Sequence, residues 1–389
     1  MNEEFGRKRR NKKGKLSTAA KVIIAVVLVI YAIVMFAIGF IVFYKPSVRR
    51  EVPFNPTVTD AEGKTHEVSF EPKGDSYNFL VLGRDRMAFL TDVMMIINVD
   101  TANNSMAVMQ LPRDTYISGG YPTSKLNAVF STYYSKYLNN FGTDTQEAEK
   151  YALGEFKTLL SQSLCININY AAILNLEGFK NIVDILGGVD INVQNGMFYS
   201  DPYQGLYIDI PAGWQHLNGE QAEGFVRFRS GYATADLGRE DAQKQFLFAL
   251  FSKIKSTISI TEIPRLTQLA NEVYANLVTD ISAADTVFFA KCLIGIDTSS
   301  IKMFTIPGNM SDGWCVINKR AAVERIFNHF YTDIHSETSD KFNGEAGLFE
   351  VFDRNRIFDN GYGVYDAYEY LYGDEYGSGD EINIPRNGY

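Results

Sequence analysis

YNFLVLGRDRMAFLTDVMMIINVDTANNSMAVMQLPRD, residues 77–114, is the stretch whose reading decides the fold. It holds three short apolar runs, Tyr77–Leu82, Val93–Val99 and Met106–Leu111, rich in Val, Ile and Met. Turn chemistry separates them, with Gly83 after the first and Asn103-Asn104 before the third. Runs of this length and composition predict buried strands. The connection Asp100–Ser105 is short enough for an antiparallel hairpin, and the Arg84–Thr91 loop suits a second one. Such a meander has a geometric consequence. The end of the first strand (Asp85), the start of the second (Asp92) and the end of the third (Arg113, Asp114) fall at one rim of the sheet.

Downstream, Gln146–Ser163 has helical periodicity, and Leu176, Phe179, Ile182, Val183 and Leu186 follow it again until Gly187-Gly188. Val189–Val193 reads as a strand, Glu220–Val226 as a short helix, and Glu240–Ile254 as a stronger one with Phe246, Leu250 and Ile254 on one face. Helices alternating with strands predict an α/β fold, an α/β/α sandwich. Residues 75–335 form its domain, with 262–332 completing it. Residues 45–74, carrying Pro46, Pro53, Pro56 and Pro72, read as a linker or small leading element. Residues 336–389 differ in composition: from 337 on, twelve Asp or Glu face four Lys or Arg, with seven tyrosines and eight glycines. That composition predicts a solvated tail.

Upstream, the charge is split. Residues 1–21 hold eight Lys or Arg against Glu3 and Glu4, a net +6 within a chain of −9, so the remainder carries −15. Val22–Tyr44 has 23 residues and no charge. At about 1.5 Å per residue it reaches roughly 34 Å, enough to cross a bilayer core. The basic flank places the N-terminus in the cytoplasm and the domain outside the cell. The run is longer than a cleaved signal segment and ends in Phe43-Tyr44-Lys45, so an uncleaved single-pass anchor in the cell membrane is expected. Three cysteines, Cys165, Cys292 and Cys315, make no disulfide framework; Cys292 and Cys315 could pair or remain buried thiols. No zinc spacing occurs among these and the four histidines. The basic cluster is explained by membrane orientation and the folded part is acidic, so no nucleic acid partner is expected.

Four segments concentrate arginine and aspartate at the ends of predicted elements: Gly83–Arg86, Thr91-Asp92, Pro112–Ile117, and Val226–Arg229 with Asp236–Arg239 and Gln243. In an extended segment Arg227 and Arg229 share a face. Arg239 and Gln243 share a helix face near an N-terminus, where free N–H groups and the dipole favour an anion. Arginine offers planar paired donors to phosphate oxygens. Several converging arginines repel one another unless a dense anion lies among them, and a pyrophosphate fits. Asp85 and Asp92 are hard oxygen ligands of the kind that hold Mg²⁺ together with substrate phosphates. A single Arg–Asp pair is ordinarily a surface ion pair; the clustering of six or more at element ends argues otherwise. Lys125 alone reads equally well as a solvated lysine or an anion contact. Gly63-Lys64-Thr65 is no P-loop, because the required earlier glycine is Val58, and no GxSxG elbow is present.

These segments, in this order, resemble the LytR–CpsA–Psr family. The resemblance is carried by Gly83–Arg86, Thr91-Asp92, Pro112–Ile117 (PRDTYI), Lys125–Asn127 (KLN), Gly187–Asp190 (GGVD), Leu217–Arg229 (LNGEQAEGFVRFR) and Asp236–Gln243 (DLGREDAQ), over about residues 75–335. It implies a central mixed sheet and transfer of a glycopolymer from an undecaprenyl-pyrophosphate carrier to a peptidoglycan sugar hydroxyl. It implies Mg²⁺ at Asp85 and Asp92, pyrophosphate contacts from Arg113, Lys125, Arg227, Arg229, Arg239 and Gln243, and catalytic roles for Asp92, Arg113 and Asp236, the last as base. Two family arginines are replaced, by Leu90 and Ala242; Arg84 or Arg86 could stand in for the first. A lipid pyrophosphate carries its own leaving group and so needs no ATP. Its prenyl chain needs an apolar groove, which the strands or the 176–186 helix could line, although core packing explains the same residues. The polymer's kind, whether teichoic acid, capsule or another glycan, is left open. The competing readings are a lipid pyrophosphate hydrolase and a non-catalytic binder of polyprenyl phosphate or wall polymer.

Overall fold

The computed structural model describes residues 44–46, 57–59, 65–67, 75–84, 89–164, 166–203, 205–229, 236–257, 271, 273–331 and 352. The chain divides into two units, Met1–Pro46 and Ser47–Tyr389. Apart from Tyr44, the expected span at 22–44 lies outside the described residues; among these no helix is long and apolar enough to cross a membrane.

The second unit begins with a small hairpin, β1 (Thr57–Thr59) and β2 (Thr65–Glu67), inside the stretch read as a leading element. The expected meander follows as β3 (Ser76–Arg84), β4 (Thr91–Asp100) and β5 (Ser105–Gln110), antiparallel in both pairings. Then come α1 (Val129–Asn140), α2 (Thr145–Leu164), β6 (Tyr170–Asn175) and α3 (Leu176–Ile185). Four short strands follow: β7 (Val189–Val193), β8 (Met197–Asp201), β9 (Leu206–Ile210) and β10 (Gly213–Leu217). Next are α4 (Gly219–Arg227), α5 (Asp236–Thr257), β11 (Val278–Thr279) and α6 (Ala283–Gly295). The last are β12 (Ile301–Thr305), β13 (Gly308–Ser311), β14 (Trp314–Ile317) and α7 (Lys319–Phe330).

The central sheet has the order β11-β6-β3-β4-β5-β12. It is mixed: β6 is parallel to β3 and β12 to β5, while β4 and β11 run the other way. Both faces are covered. Leu80, Leu82, Met94, Ile96 and Phe304 pack with Phe130 of α1, Phe156 of α2 and Phe330 of α7. The alternate positions, Met95, Ile97, Val99, Val108 and Met303, pack with Phe248 and Phe251 of α5 and Leu293 of α6. This is the α/β/α sandwich expected from the sequence. The doubly buried strands explain why its meander reads as continuous apolar runs.

One sequence reading holds with an addition and another needs correction. Val189–Val193 is a strand, as expected, and it lies outside the central sheet. Its burial alternates strictly, the mark of a strand with one wet face, and it pairs with β10. Beyond it β8 pairs with β9, and residues 194–196 face only 211–212 between the two pairings. The four strands therefore form one ribbon with an extra residue at its bend. Its inner face joins α3, α4 and the first half of α5 in a second core around Val183, Ile191, Ile208, Phe225 and Phe246. The tail is not wholly solvated: Phe352 is buried in the first core. The remainder of 336–389 lies outside the described residues.

Glycine matters at two junctions. Gly187 and Gly188 end α3 with φ of +77° and +81°, and a Cβ on Gly188 would lie 2.5 Å from His216 Nε2. Gly83 sits where the β3–β4 register shifts, with Val93 Cβ 3.1 Å from where its own Cβ would be.

Phe156 is fully buried at the centre of the first core. Phe156→Ala is expected to lower unfolding free energy by about 3–5 kcal/mol, read from urea unfolding followed by circular dichroism.

Candidate functional site

Strands β3, β5, β6 and β12 all point the same way, so Arg84, Gln110, Asn175 and Thr305 end at one rim, where Thr91-Asp92 opens β4. Ligands of open α/β sheets bind outside such carboxyl ends. The PRDTYI segment leaves β5 at this rim and turns at once, with the Thr115 N–H and hydroxyl both donating to the Pro112 carbonyl at 3.0 and 2.6 Å. Residues 124–127 then pair back onto it: Leu126 N–H donates to the Thr115 carbonyl and Asn127 N–H to that of Arg113. The fold thereby delivers Lys125 beside Asp114. Lys125 Nζ lies 2.8 Å from Asp114 Oδ1, Arg113 Nε 3.6 Å from Asp114 Oδ2, and Arg113 Nη1 3.0 Å from Asp92 Oδ1. Asp92, Arg113 and Lys125, predicted from sequence, are thus one ion-paired cluster.

The helical side of the site is built on α4 and α5. Asn218 and Gln221 form a reciprocal capping box that starts α4. Arg227, its last residue, folds back so that Nη1 lies 2.7 Å from Glu223 Oε1, and Lys180 Nζ is 3.9 Å from the other carboxylate oxygen. Arg227 is helical and only Phe228 returns to extended backbone, so the shared extended face expected for Arg227 and Arg229 does not exist in that form. Arg229 is half-buried just past this cap. α5 begins at Asp236, three residues before Arg239, and Arg239, Glu240, Gln243 and Lys244 are buried on it, a burial the sequence reading did not anticipate. Gln243 joins three elements: its Oε1 accepts from Gln110 Nε2 at 2.8 Å, and its Nε2 donates to the Val226 carbonyl at 3.3 Å. Lys244 Nζ reaches Asp241 at 2.9 Å and the Thr305 hydroxyl at 3.3 Å, tying α5 to the end of β12.

The two clusters meet around Cys315, whose N–H donates to the Asp114 carbonyl. Burial pushes the Cys315 thiol up to about 12 from 9.0, the Glu240 and Asp114 carboxylates add to the rise, and a hydrogen bond with Thr115 opposes it. Among the described residues, Cys292 and Cys315 are not disulfide-bonded, so the two do not pair.

Of the other expected site residues, Asp85 lies outside the described residues, and Asp236 is placed only as the first residue of α5. Ala242 is buried in the second core beside Phe225 and Phe246, so the position faces packing and not an anion. Arg84 is already engaged: Nη2 lies 2.7 Å from Glu149 Oε1, and the guanidinium sits 4.4 Å above the Phe89 ring. Arg86 lies outside the described residues. The prenyl-groove reading of α3 is not supported, because Val183 is buried in the second core with Phe179 packed against it, and Ile182 is buried as well. Gln110, Glu223, Glu240 and Lys244 were not anticipated. Only Glu223 carried a sequence signal, its spacing of four from Arg227.

For a divalent cation, Asp92 offers a carboxylate with one oxygen held by Arg113 and a side chain 39% exposed. No group of three or more His, Cys, Asp or Glu that could hold a metal occurs among the described residues. A single reachable carboxylate fits Mg²⁺ only if substrate phosphates and Asp85 complete its shell.

The Gln110–Gln243 bond joins sheet to helix. A double-mutant cycle with Gln110→Ala and Gln243→Ala should return a coupling of about 0.5–1.5 kcal/mol in unfolding free energy; additive effects would show that the bond does not act. Peptide mapping after iodoacetamide treatment at neutral pH should find Cys315 unmodified in the folded chain, since only the thiolate reacts, and modified once the chain is unfolded.

A model of the LytR_cpsA_psr family matches residues 52–330. The polyisoprenyl-teichoic acid–peptidoglycan teichoic acid transferase TagV of Bacillus subtilis is 26% identical over 220 residues, 56% of this chain and 52% of that protein. The cell wall biosynthesis protein LcpA of Corynebacterium glutamicum is 28% identical over 267 residues, 66% of this chain and 49% of that protein. TagU of Bacillus mycoides, which shares TagV's transferase name, is 29% identical over 58% of this chain and 68% of its own length. The chain thus spans about half the length of TagV and of LcpA. The crystal structure of B. subtilis TagV superposes with a TM-score of 0.52 at 22% identity, covering 66% of this chain and 98% of that one, which establishes a shared fold. With the family model spanning most of the chain and the rim segments present in order, the chain belongs to the LytR–CpsA–Psr family.

Proposed function

We propose that the chain is a membrane-anchored phosphotransferase that moves a glycopolymer from an undecaprenyl-pyrophosphate carrier to a peptidoglycan sugar hydroxyl. The observation that carries this reading is the rim itself. Arg113, Lys125 and Arg227 stand at the carboxyl ends of the parallel strands or the helix beside them, each held by a carboxylate that a diphosphate can displace. The names of TagV and TagU, transferases of polyisoprenyl-linked teichoic acid to peptidoglycan, support the substrate class. The uncharged run 22–44 supports an anchor with the domain outside the cell.

In this mechanism the acceptor hydroxyl oxygen attacks the polymer-side phosphorus. The bond from that phosphorus to the bridging oxygen breaks, a phosphodiester forms, and undecaprenyl phosphate leaves. Asp236 takes the hydroxyl proton. Arg113, Lys125, Arg227, Arg229 and Arg239 orient the diphosphate and offset the charge that shifts to the leaving oxygen, the kind of positioning that dominates phosphoryl transfer. Mg²⁺, held by Asp92 with Asp85 and the substrate phosphates, would add charge neutralisation at the same oxygens.

The full 389-residue chain in detergent, given Mg²⁺, a lipid-pyrophosphate oligosaccharide and a peptidoglycan oligomer, should yield a phosphodiester-joined product by mass spectrometry. Arg227→Ala and Asp92→Ala should each reduce its rate by about 10²-fold or more. Saccharide phosphate without joined product would replace this reading with the hydrolase, and lipid binding without turnover would replace it with the binding protein.

A further inference from the structure

We propose that the outward face of the ribbon β7–β10 is a docking surface for an uncharged amino-sugar glycan strand. The inference rests on the transfer reading for its choice of the wall glycan as occupant.

Among the described residues, the exposed large apolar side chains are concentrated in one short stretch. Phe198, Tyr199, Tyr203, Tyr207 and Trp214 all lie within it, and Tyr207 and Trp214 are 70% and 68% exposed. A concentration of this kind on a folded surface marks an interaction site. Their placement follows from the pairing register. The inner face buries Met197, Ile208 and Ile210, so the outer face of β8–β9 presents Phe198 opposite Asp209 and Tyr207 opposite Ser200. Across the bend, the outer face of β7 and β10 presents Trp214 opposite Asn192 and His216 opposite Asp190. His216 Nδ1 and Asp190 Oδ1 are 2.7 Å apart. Each of the three outward rings therefore stands directly across from a hydrogen-bonding side chain, and diagonal neighbours such as Phe198 and Tyr207 are about 7–8 Å apart.

The alternation identifies the occupant. A pyranose has an apolar C–H face, which stacks on an aromatic ring, and a rim of hydroxyl and acetamido groups, which needs donors and acceptors beside that ring. A protein partner of comparable affinity calls instead for contiguous aromatic anchors seated in desolvated pockets. Charge decides between glycans and anions. Asn181–Val226 contains no Lys or Arg, and it carries Asp184, Asp190, Asp201, Asp209, Glu220 and Glu223. A phosphate-rich polymer or an anionic lipid surface would be repelled there and drawn to the cationic rim. An uncharged glycan pays no such cost. The same α4 that packs on the ribbon through Ile208 and Gly224 ends at Arg227, so one rigid helix connects the glycan face to the rim.

The test titrates the full chain in detergent with the hexamer of N-acetylglucosamine, by calorimetry, alongside anionic phosphatidylglycerol vesicles. Saturable hexamer binding is expected, weakened about three- to tenfold by Trp214→Ala and again by Tyr207→Ala. Unchanged melting temperatures would show both variants folded, and exposed positions make that the expected result. Trp214→Tyr, which keeps a ring, should bind nearly as the parent chain does. Absence of hexamer binding, binding indifferent to both alanine variants, or vesicle binding that the same variants abolish would each overturn the proposal. The lipid-pyrophosphate transfer assay runs in parallel: transfer without hexamer binding defeats the ribbon proposal alone, and hexamer binding without transfer defeats the enzymatic reading alone.

Discussion

The register of the central meander is the constraint on which the rest depends, and buried asparagines hold it. Asn98 Nδ2 donates to Asn78 Oδ1 at 2.7 Å, while the Asn78 backbone N–H donates to Asn169 Oδ1 and its side chain to the Asn167 carbonyl. These bonds tie β4, β3 and the lead-in to β6 at one position. A slip of a single residue would turn every side chain to the opposite face and leave these amides unsatisfied in the interior. It would also carry Asp92 out of step with Arg113. Buried polar residues at the far end of the sheet thus determine what meets at the rim.

From that frame the site is assembled at short range. Two residues separate Gln110, which reaches α5, from Arg113, which reaches β4. Gln243 accepts from the sheet and donates to the end of α4, so it sets the distance between Arg227 and the strand ends. A glutamine suits this junction because one amide supplies a donor and an acceptor together.

How much of this was legible in the sequence depended on the range of the interaction. The strands of the meander could be read because burial on both faces leaves an unbroken apolar run. The rim could be read because two hairpins fix it locally. β6 was missed, since Asn167 and Asn169 interrupt its approach with polar residues whose partners lie on β3, some ninety positions away. α1, with its sequence VFSTYYSKYLNN, was missed because only Val129 and Phe130 are buried and no clear stripe results. Arg227 was assigned to an extended segment because its spacing of two from Arg229 was read and its spacing of four from Glu223 was not. Of the carboxylates that hold the rim cations, Asp92 and Asp114 were placed at the rim by the same local reading; Glu223 was not, although it stands four residues before Arg227.

Those partners give the rim an unusual ionic character. Asp92 and Asp114 hold Arg113, Asp114 also holds Lys125, and Glu223 holds Arg227. The cluster carries its own counter-ions, covalently tethered. In the proposed reaction an incoming diphosphate would therefore exchange one anion for another and would not strip a diffuse cloud of salt from bare arginines. Binding sites of bare cations lose affinity steeply as salt rises, because each contact releases bulk ions. In the proposed reaction the displaced charges would stay on the protein, so recognition would be buffered against ionic strength and would depend on how well each carboxylate finds a new resting place.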